Sequence, residues 1–371
     1  MSLGKVVHLS SVHHARDNRI FHKECKSLAQ AGYNVTLIAV ADQDFIEDGV
    51  RVRGVPKFTN RTKRIFMAPW RVYQMALEER ADLYHFHDSE LIPIALLLRL
   101  QGYKVVYDVH ENLALSISTK DWIYPLLRGW IAKTVDIIEK VASGYFNGIV
   151  IANPHTLKGF PTDKSILVRN FPQLKEFPTI TPDLEDPMPT HAVYVGLISK
   201  ERGALDMVSA MGLLEETSPI QLLLGGNIYP DTLKDQLVGN TGFDRTSLLG
   251  WLTRDQVIET FRKSFVGLSI LHATPHYLMA YPTKLFEYMG MGLPVIGNQF
   301  EIVHDIIVGN QCGITVPEKD PQAIANALEW LFNHPEEAQQ MGKRGRQAIE
   351  EKYNWEKEMD SLLNLYAQIL K

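Results

Sequence analysis

The feature that most constrains the fold of this 371-residue chain is a regular alternation of short apolar runs with segments of helical periodicity. The apolar runs lie at residues 5–11, 34–40, 83–87, 104–109 and 148–152, and at residues 192–196, 220–224, 247–249, 266–271 and 294–297. Short buried strands that alternate with helices form parallel sheets with helices on both faces. The alternation therefore predicts an α/β fold with two parallel sheets, one in each half of the chain.

A proline-rich segment separates the two halves. Five prolines fall within residues 171–190: Pro172, Pro178, Pro182, Pro187 and Pro189. Proline lacks an N–H donor and restricts the preceding residue, so this segment is expected to be an extended linker. The sequence predicts a Rossmann-like domain over residues 1–170 and a second one over 191–354. Residues 355–371 are expected to form a helix that completes the second domain or packs back on the first.

Composition narrows the class of protein. Hydrophobic residues make up 45% of the chain and charged residues 22%, which is typical of a globular protein. The apolar runs are shorter than the ~18–20 residues of a membrane-spanning helix. Two distant cysteines, Cys25 and Cys312, cannot form a disulfide framework, and this favours a cytoplasmic location. The net charge of −5 gives no reason to expect nucleic acid as a partner.

Polar residues follow the predicted strands of the first half, where ligands of parallel sheets bind. Residues 10–19 come after the first strand, include His13, and lack the G-x-G-x-x-G dinucleotide motif. Asp17 is predicted to cap the next helix. Arg16 and Arg19 then either are solvated charges or lie beside a helix N-terminus that binds an anion.

Two further strands of the first half end in histidines and carboxylates. His85, His87 and Asp88 end one strand, and His110 and Glu111 end the next. Three interpretations remain open for these residues. They form a metal site built from His85, His87, Asp88 and His110, or they recognise a hydroxylated substrate, or they are ordinary strand-end polar residues with Asp88 as a helix cap.

The second half has glycine turns and a cation at its predicted strand ends. Arg202 precedes a predicted helix, and a cation beside a helix N-terminus suits a phosphate group. Gly225 and Gly226 end the next strand, and Trp251 and Leu252 follow the one after. Glycine at such a position either lets a ligand approach the backbone or is needed only for the backbone conformation of the turn.

The strongest motif lies in residues 276–297. Pro282 suits the first helical position and Thr283 the first turn of a helix. Lys284 also falls in this first turn, where a cation opposes the helix dipole unless an anion is present. Glu287 lies on the same helix face. The two charged side chains therefore bind a ligand or form a simple ion pair on a solvated helix.

Taken together, these residues resemble the large retaining glycosyltransferase family 4, which has the GT-B architecture of two Rossmann-like domains facing across a cleft. The resemblance covers nearly the whole chain and rests on the order of segments 87–91, 107–111, 196–203 and 282–295. It implies a nucleotide-sugar donor bound by the second domain and an acceptor bound by the first. It also implies transfer of a hexose with retained anomeric configuration, without a cofactor.

The resemblance assigns roles to individual residues. It places His110 near the reacting sugar, Arg202 and Lys284 at the diphosphate, and Glu287 at the ribose hydroxyls. The other donor-binding residues that it implies are Gly225, Gly226, Trp251, Leu252, Tyr281, Pro282, Thr283 and Leu285. The acceptor side is expected to contain His13, Arg19, His87, Asp88 and Glu111.

Two positions depart from the family pattern. Leu197 stands where a phosphate-binding arginine is usual, and Met279 stands where the first of two glutamates is usual. The charge of the departing diphosphate would then be stabilised by Arg202, Lys284 and helix amides. No Asp-x-Asp pair lies where a metal would be needed for this purpose, so the sequence predicts a metal-independent reaction.

A basic and aromatic stretch bears on the acceptor. Its basic residues are Arg51, Arg53, Lys57, Arg61, Lys63, Arg64, Arg71 and Arg80, and its interleaved large apolar residues are Phe58, Ile65, Phe66, Met67, Trp70 and Tyr73. This composition resembles a surface that contacts anionic lipid headgroups. The alternative is an ordinary helix with a buried aromatic face.

The sequence thus predicts a glycosyltransferase that acts on a saccharide or lipid-linked acceptor in bacterial cell-envelope polysaccharide synthesis. Such an enzyme is expected in the cytoplasm or at the inner face of the cytoplasmic membrane. The alternatives are a sugar-nucleotide 2-epimerase of the same architecture, a metal-dependent hydrolase built on the histidines, and a non-catalytic sugar-nucleotide sensor. The donor, the acceptor, the linkage and the oligomeric state are not predicted.

Overall fold

The computed structural model describes residues 3–58, 60–110, 113, 117, 124–178, 189–275 and 277–371. The chain forms two compact units. The first consists of Met1–Asn170 together with Trp355–Lys371, and the second consists of Phe171–Asn354. Each unit is built around one sheet.

The sheet of the first unit has eight strands. They are β1 (Lys5–His14), β2 (Asn34–Val40), β3 (Phe45–Glu47), β4 (Val50–Val55), β5 (Leu83–Phe86), β6 (Lys104–Val109), β7 (Gly148–Ile151) and β8 (Ser165–Leu167). Their order is β3-β4-β2-β1-β5-β6-β7-β8. All neighbouring strands pair in parallel except β3 and β4. The strand order places β1 and β5 side by side at the centre of the sheet.

Helices connect these strands. A π-helical segment (Asn18–Cys25) continues into α1 (Lys26–Gln30), and α2 (Arg61–Glu79), α3 (Ile92–Leu100), α4 (Pro125–Ser143) and α5 (Pro154–Leu157) follow. A short 3₁₀ turn, Ser89–Leu91, precedes α3. None of the helices that the structure describes is both long and apolar enough to span a bilayer.

Both faces of the first sheet are buried. On β1, Val7 and Leu9 pack with residues of α2, α3 and α4, while Val6 packs on the opposite face with the π-helical segment, α1 and the last helix of the chain. Successive strand residues point to opposite faces, and this explains the near-continuous apolar runs in the sequence. The last helix is fixed by Trp355, whose indole Nε1 donates to Ser27 Oγ at 2.9 Å.

The sheet of the second unit has six strands. They are β9 (His191–Val195), β10 (Gln221–Gly225), β11 (Thr246–Gly250), β12 (Ser264–Ser269), β13 (Val295–Asn298) and β14 (Gly313–Val316). All neighbours are parallel, in the order β11-β10-β9-β12-β13-β14. The β9 strand is central, so the carboxyl ends of β10, β9 and β12 lie next to one another.

The remaining helices follow in chain order. They are α6 (Ala204–Met211), α7 (Leu233–Val238), α8 (Arg254–Arg262), α9 (Thr283–Gly290), α10 (Glu301–Gly309), α11 (Pro321–Asn333), α12 (Pro335–Glu351) and α13 (Trp355–Leu370). Short 3₁₀ turns occur at Leu174–Glu176, Lys200–Arg202, Phe243–Arg245 and Tyr277–Met279. Helix α13 lies with the first unit, although it follows the second in sequence.

The predicted α/β fold with two parallel sheets is confirmed. All ten predicted strands are present, and four short strands were missed: β3, β4, β8 and β14. Three of these have only three or four residues, and the fourth, β4, alternates valine with arginine at Arg51 and Arg53. Such strands lack a continuous apolar run, which was the sequence signal.

The segment predicted as a linker begins with buried residues. Phe171 and Phe177 are both buried in the core of the second unit, where the Phe171 ring packs against Phe286 with their centroids 4.8 Å apart. The start of the predicted linker, at Phe171, is therefore packed structure. Residues 179–188 lie outside the described residues.

Candidate functional site

Glycines line the carboxyl edge of the second sheet. The chain leaves β10 through Gly225 and Gly226, and Gly226 has a φ of 131°. A Cβ atom on Gly226 would overlap the carbonyl oxygen of Gly196. Gly196 N donates to Gly225 O at 2.8 Å, and Gly226 N donates to Gly250 O at 2.6 Å. Only glycine permits backbones to approach this closely, so bare backbone is present at this edge.

Arg202 lies directly before helix α6 at the end of β9. It is the last residue of the 3₁₀ turn Lys200–Arg202, and Gly203 then turns the chain into the helix with a φ of 61°. The Arg202 Nε donates to the Tyr277 hydroxyl at 3.1 Å. Among the described residues no side chain caps the first turn of α6, and the first amide, Ala204 N, donates to Ser199 O at 3.2 Å. A guanidinium beside a helix N-terminus without a side-chain cap suits an anionic group such as a phosphate.

Lys284 and Glu287 form an ion pair on α9. The Lys284 Nζ lies 3.1 Å from Glu287 Oε1 and 3.0 Å from Oε2. The simple pair that the sequence left open is therefore present. Arg254, which the sequence analysis did not single out, lies with its Nη1 3.6 Å from Glu287 Oε2 and its Nη2 3.3 Å from Glu176 Oε2. Glu287 is thus a partly buried carboxylate with two cations beside it.

The other predicted donor-binding residues differ in exposure. Trp251 and Thr283 are exposed, and Leu252, Tyr281 and Pro282 are partly buried. Leu285 is fully buried in the core, so its side chain packs inside the unit and does not reach the surface. Pro282 precedes the helix instead of occupying its first position, because α9 begins at Thr283.

A buried cluster of polar residues fills the centre of the first unit. The carboxylate of Asp108, on β6, accepts hydrogen bonds from Arg19 Nε at 3.2 Å and Nη2 at 3.1 Å. His87 Nδ1 lies 3.1 Å from the same carboxylate. Burial alone would raise the pKa of Asp108, but Arg19 and His110 outweigh it and hold this pKa well below its usual range. Asp108 is therefore a buried, ionised carboxylate.

The prediction that Arg19 is a solvated charge or an anion ligand is wrong. Its side chain is 4% exposed, and its guanidinium also lies 3.0 Å from Glu24 Oε1 and donates to Val168 O at 2.8 Å. Asp17 does cap the following helix, since its Oδ1 accepts from Arg19 N and Ile20 N. With Asp17 as the cap, the amide and guanidinium of Arg19 both bind groups of the chain itself.

Asp88 is fixed by the end of β1. Its Oδ2 accepts from Ser10 Oγ at 2.8 Å and Ser11 N at 2.6 Å, and its Oδ1 lies 2.9 Å from His13 Nδ1. Burial alone would raise the pKa of Asp88, but His13 and Ser10 outweigh it and lower this pKa to about 2. The hydrogen bond to Asp88 in turn raises the pKa of His13. The predicted helix-capping role of Asp88 is not observed, because its side chain makes no cap hydrogen bond to the turn that follows.

His110 lies at the margin of this cluster. Its Nε2 is 3.0 Å from Asp108 Oδ2 and 3.2 Å from His87 Nδ1, and its ring stacks on His13 with the centroids 5.4 Å apart. The side chain of His110 is 20% exposed and that of His13 is 32% exposed. Both rings therefore reach the surface. The next predicted residue, Glu111, lies outside the described residues.

The structure separates the residues predicted for the acceptor side. Arg19, His87 and Asp88 are buried, whereas His13 is accessible. The metal ligand set suggested by the sequence is also divided, because Asp88 bonds to β1 while His87 and His110 meet at Asp108. His13 and His110 are partly exposed, and the buried residues hold those two in place.

Sequence reasoning missed several members of these sites. They are His8, Glu24, Tyr366, Arg254 and Tyr277. A histidine within the apolar run of β1 was a signal for His8, since a polar residue there must find a buried partner. No signal in the sequence links Tyr366 to the histidines, because the contact joins elements more than 270 residues apart.

Two family models match the chain. Residues 180–348 match the model described as "Glycosyl transferases group 1", and residues 18–138 match the one described as "Glycosyl transferase 4-like domain". The match over residues 180–348 lies within the second unit, and the match over residues 18–138 lies within the first.

The individual proteins that are similar to this chain are distant from it in sequence. Glycogen synthase from Mycobacterium tuberculosis is 22% identical over 170 residues, which are 45% of this chain and 40% of that protein. Sucrose-phosphate synthase from Thermosynechococcus elongatus has a similar structure, with a TM-score of 0.76, 19% identity and 98% of each chain covered. The Anabaena protein Alr3699/HepE, solved with UDP-glucose, has a TM-score of 0.74 and 11% identity over 98% of this chain and 100% of that one.

These findings agree with one another in fold and in family. The chain matches less than half of the length of the glycogen synthase, while the solved structures match over almost their whole length. Each half of the chain matches a glycosyltransferase model, and each half contains one of the two sheets described above. The chain therefore belongs to the glycosyltransferases of the GT-B fold, and its match to the glycosyl transferase 4-like domain is consistent with family 4.

Proposed function

We propose that this protein is a retaining glycosyltransferase, which moves a hexose from a nucleotide-sugar donor to a saccharide or lipid-linked acceptor. The observation that carries the proposal is the position of Arg202 beside the uncapped N-terminus of α6 and the glycine turn at Gly196 and Gly226. A cation, a helix N-terminus without a side-chain cap and bare backbone are together suited to a diphosphate.

The donor is bound by the second unit. Its diphosphate lies against Arg202 and the first amides of α6, and its ribose hydroxyls donate to the carboxylate of Glu287. The Anabaena protein of similar fold was solved with UDP-glucose, so a uridine diphosphate sugar is the first donor to test. Lys284 and Arg254 lie beside the Glu287 carboxylate and orient it.

The chemistry follows from the charge that develops on the leaving group. Cleavage of the sugar–phosphate bond leaves an anionic nucleoside diphosphate and an oxocarbenium-like sugar. Arg202 and the helix amides stabilise the departing anion without a metal ion. In the first unit, Asp108 holds His110 through Nε2, so that Nδ1 is the ring nitrogen left to bind a sugar hydroxyl.

The donor proposal is tested by binding and by product analysis. A calorimetric screen of nucleotide sugars with EDTA present is expected to identify a donor, and NMR of the product is expected to show a retained anomeric configuration. Arg202→Ala and Glu287→Ala are each expected to remove most turnover while the far-ultraviolet circular dichroism stays unchanged. Activity that EDTA abolishes and a divalent cation restores would contradict the metal-independent reaction.

The 2-epimerase alternative is separated by the same assay. An epimerase converts the donor into its epimer without any acceptor, whereas the proposed transferase releases a nucleoside diphosphate only when an acceptor receives the sugar or water replaces it. Chromatography of the nucleotide fraction without acceptor distinguishes the two. Detection of an epimeric nucleotide sugar in that fraction would contradict the transferase proposal and support the 2-epimerase.

We also propose that the first unit contacts an anionic membrane, as expected for a lipid-linked acceptor of the cell envelope. Helix α2 exposes Phe66, Met67 and Trp70, and helix α4 exposes Leu127 and Trp130. Exposed apolar residues beside basic ones are typical of interfacial surfaces.

Part of the basic stretch is not available for lipid, because Arg53 is mostly buried and paired with Glu78 and Glu79. Tyr73 is buried as well.

Co-sedimentation with vesicles tests this contact. Wild-type protein is expected to bind vesicles that contain phosphatidylglycerol at low salt, and the double substitution Phe66→Ser with Trp70→Ser is expected to weaken binding about tenfold or more. Ile46→Ser is the matched control, because Ile46 is also highly exposed but lies on β3. Equal binding of the double variant and the control would exclude α2 from the interface.

A further inference from the structure

Three buried histidines and one glutamate of the first unit surround a single point. His8 on β1 pairs in register with His85 on β5, His87 follows β5, and Glu24 belongs to the π-helical segment. All four side chains are inaccessible to solvent. Each has one ligand-type atom in a group whose members lie within 4.8 Å of one another.

Each imidazole is held from outside this group by its other nitrogen. Tyr366 Oη lies 3.2 Å from His8 Nε2 and 2.7 Å from His85 Nδ1, and Asp108 Oδ2 lies 3.1 Å from His87 Nδ1. The nitrogens left over are His8 Nδ1, His85 Nε2 and His87 Nε2. Of these, His8 Nδ1 and His87 Nε2 lie 2.9 Å apart and at 3.9 Å and 4.0 Å from Glu24 Oε2. Histidine ligands of metal ions are oriented in this way, with the second nitrogen bonded to a carboxylate or another acceptor.

The hydrogen bonds among the described residues leave part of this group unsatisfied. In one assignment of protons, Asp108 accepts from His87 Nδ1, so that His87 Nε2 is an acceptor and His8 Nδ1 donates to it at 2.9 Å. His8 Nε2 then accepts from the Tyr366 hydroxyl, and the Tyr366 oxygen accepts from His85 Nδ1. This assignment leaves His85 Nε2 as an acceptor without a donor. The reverse assignment, in which His110 Nε2 donates to His87 Nδ1 at 3.2 Å, leaves it as a donor without an acceptor among the described residues.

The orphaned atoms are real in the described structure. His85 Nε2 and both carboxylate oxygens of Glu24 are buried and make no hydrogen bond of good geometry with the described residues, although the Asp108 carboxyl lies close to that of Glu24. Arg19 Nε lies 3.0 Å from Glu24 Oε1 as an ion pair, without the geometry of a hydrogen bond. A buried polar atom without a partner destabilises a fold by about 1–3 kcal/mol, and by more when it is charged. Two such groups side by side need a common explanation.

We propose that His8, His85, His87 and Glu24 bind one divalent transition-metal ion, for which zinc is the best match. Zinc takes four ligands in its structural sites, and imidazole nitrogens with a carboxylate oxygen are among its usual ligands. Bound zinc would satisfy His85 Nε2 and Glu24 together. This inference does not depend on the proposed transfer reaction.

The observed separations fit such an ion after small shifts. Ligand atoms about 2.0–2.1 Å from a tetrahedral ion lie about 3.4 Å apart. His8 Nδ1 and His87 Nε2 are 2.9 Å apart, and Glu24 Oε2 is 3.9 Å from the former and 4.0 Å from the latter. Adjustments of less than about 1 Å bring these three atoms to equal spacing. In the adjusted arrangement, two metal bonds would replace the His8–His87 hydrogen bond.

The charge state of the cluster is also suitable. Burial lowers the pKa of His8, His85 and His87, so the rings are neutral and free to ligate. Burial and Asp108 raise the pKa of Glu24, and a dication at the centre would return its carboxylate to the ionised form. Because all four ligands are inaccessible, no open position meets substrate. The ion therefore links β1, β5 and the π-helical segment and performs no catalysis.

Metal content and refolding test this site directly. Protein without a histidine tag is unfolded in guanidinium with a chelator, desalted, and refolded with Zn²⁺, with Mg²⁺ or with neither. We expect one equivalent of zinc to remain after gel filtration, and the melting temperature to rise by about 5 °C or more with zinc but not with magnesium. A folded protein that retains less than a tenth of an equivalent of zinc would overturn the proposal.

Variants and a spectroscopic probe locate the ion. His85→Gln and Glu24→Gln are expected to lose the bound zinc and the gain in melting temperature, whereas His155→Gln, at an exposed histidine on α5, keeps both. Refolding of the wild type with Co²⁺ is expected to give the intense visible absorption of a four-coordinate ion, which His85→Gln abolishes. If that variant does not fold, the wild-type spectrum decides alone. Weak absorption typical of six-coordinate cobalt, or zinc retained by folded His85→Gln, would refute the site.

Discussion

Arg19 and Asp108 form a two-pronged ion pair in the interior of the first unit, with Nε 3.2 Å from Oδ2 and Nη2 3.1 Å from Oδ1. The pair joins the π-helical segment to β6, and the same carboxylate also holds His87 and His110. The orientation of the accessible His110 therefore depends on a buried arginine from a distant part of the sequence.

Asp108→Asn is expected to destabilise the first unit strongly. The substitution leaves the buried Arg19 with Glu24 as its one remaining carboxyl partner among the described residues, and removal of one partner from a buried ion pair lowers the free energy of unfolding by about 3–5 kcal/mol. Urea unfolding monitored by circular dichroism measures this change. Glu47→Gln breaks the exposed ion pair with Arg16 and is the matched control, with an expected loss below about 1 kcal/mol. Equal losses in the two variants would mean that the Arg19–Asp108 pair is not buried in solution.

The stability of the first unit is expected to fall in acid partly because of Asp88. Its pKa is lowered to about 2 in the folded chain, so its ionised form stabilises the fold above the unfolded pKa of about 3.9. This contribution, about 2 kcal/mol, is lost as the pH falls from about 4 towards 2. The difference in free energy of unfolding between wild type and Asp88→Asn should therefore shrink over that range. Asp360→Asn, at an exposed position of α13, should show no such trend.

Gly226→Ala is expected to disrupt the glycine-lined edge of the second sheet. An added Cβ would overlap the carbonyl oxygen of Gly196, and φ is 131°, so the backbone must move. We expect a loss of several kcal/mol, measured by urea unfolding. Gly250→Ala is the control, because Gly250 also has a positive φ, of 69°, but no atom lies within 4 Å of the added Cβ. Gly250→Ala should lower the free energy of unfolding by only about 1–2 kcal/mol, which is the cost of the left-handed backbone conformation alone. Equal losses would show that the Gly196–Gly226 contact relaxes easily.

Lys284 and Glu287 are expected to matter more for the donor than for the fold. Their ion pair is partly exposed, so a double-mutant cycle with Lys284→Met and Glu287→Gln should give a coupling below about 1 kcal/mol in the free energy of unfolding. If Glu287 accepts from the ribose, Glu287→Gln should weaken binding of the donor identified in the nucleotide-sugar screen about tenfold or more in calorimetry. Glu259→Gln, in an exposed pair with Lys263, should change neither quantity. Unchanged donor affinity in Glu287→Gln would remove Glu287 from the donor site.

The sequence determined the class of fold and the position of most strands. Apolar runs such as residues 34–40 and 104–109 coincide with β2 and β6 to the residue, because a strand buried on both faces is apolar over most of its length. The glycine at position 226 and the cation at 202 were also visible, since turn and helix-end chemistry depends on near neighbours. Those features identify the second unit as a candidate site for a nucleotide sugar.

Only the tertiary structure decided which polar residues of the first unit are accessible. Arg19, His87 and His110 look alike as strand-end or helix-start residues, yet Arg19 and His87 are buried and His110 reaches the surface. Tyr366, near the end of the chain, completes the histidine cluster because α13 packs with the first unit. Burial and pairing of this kind depend on contacts between residues that are far apart in sequence, and no local pattern encodes which partner each charge will find.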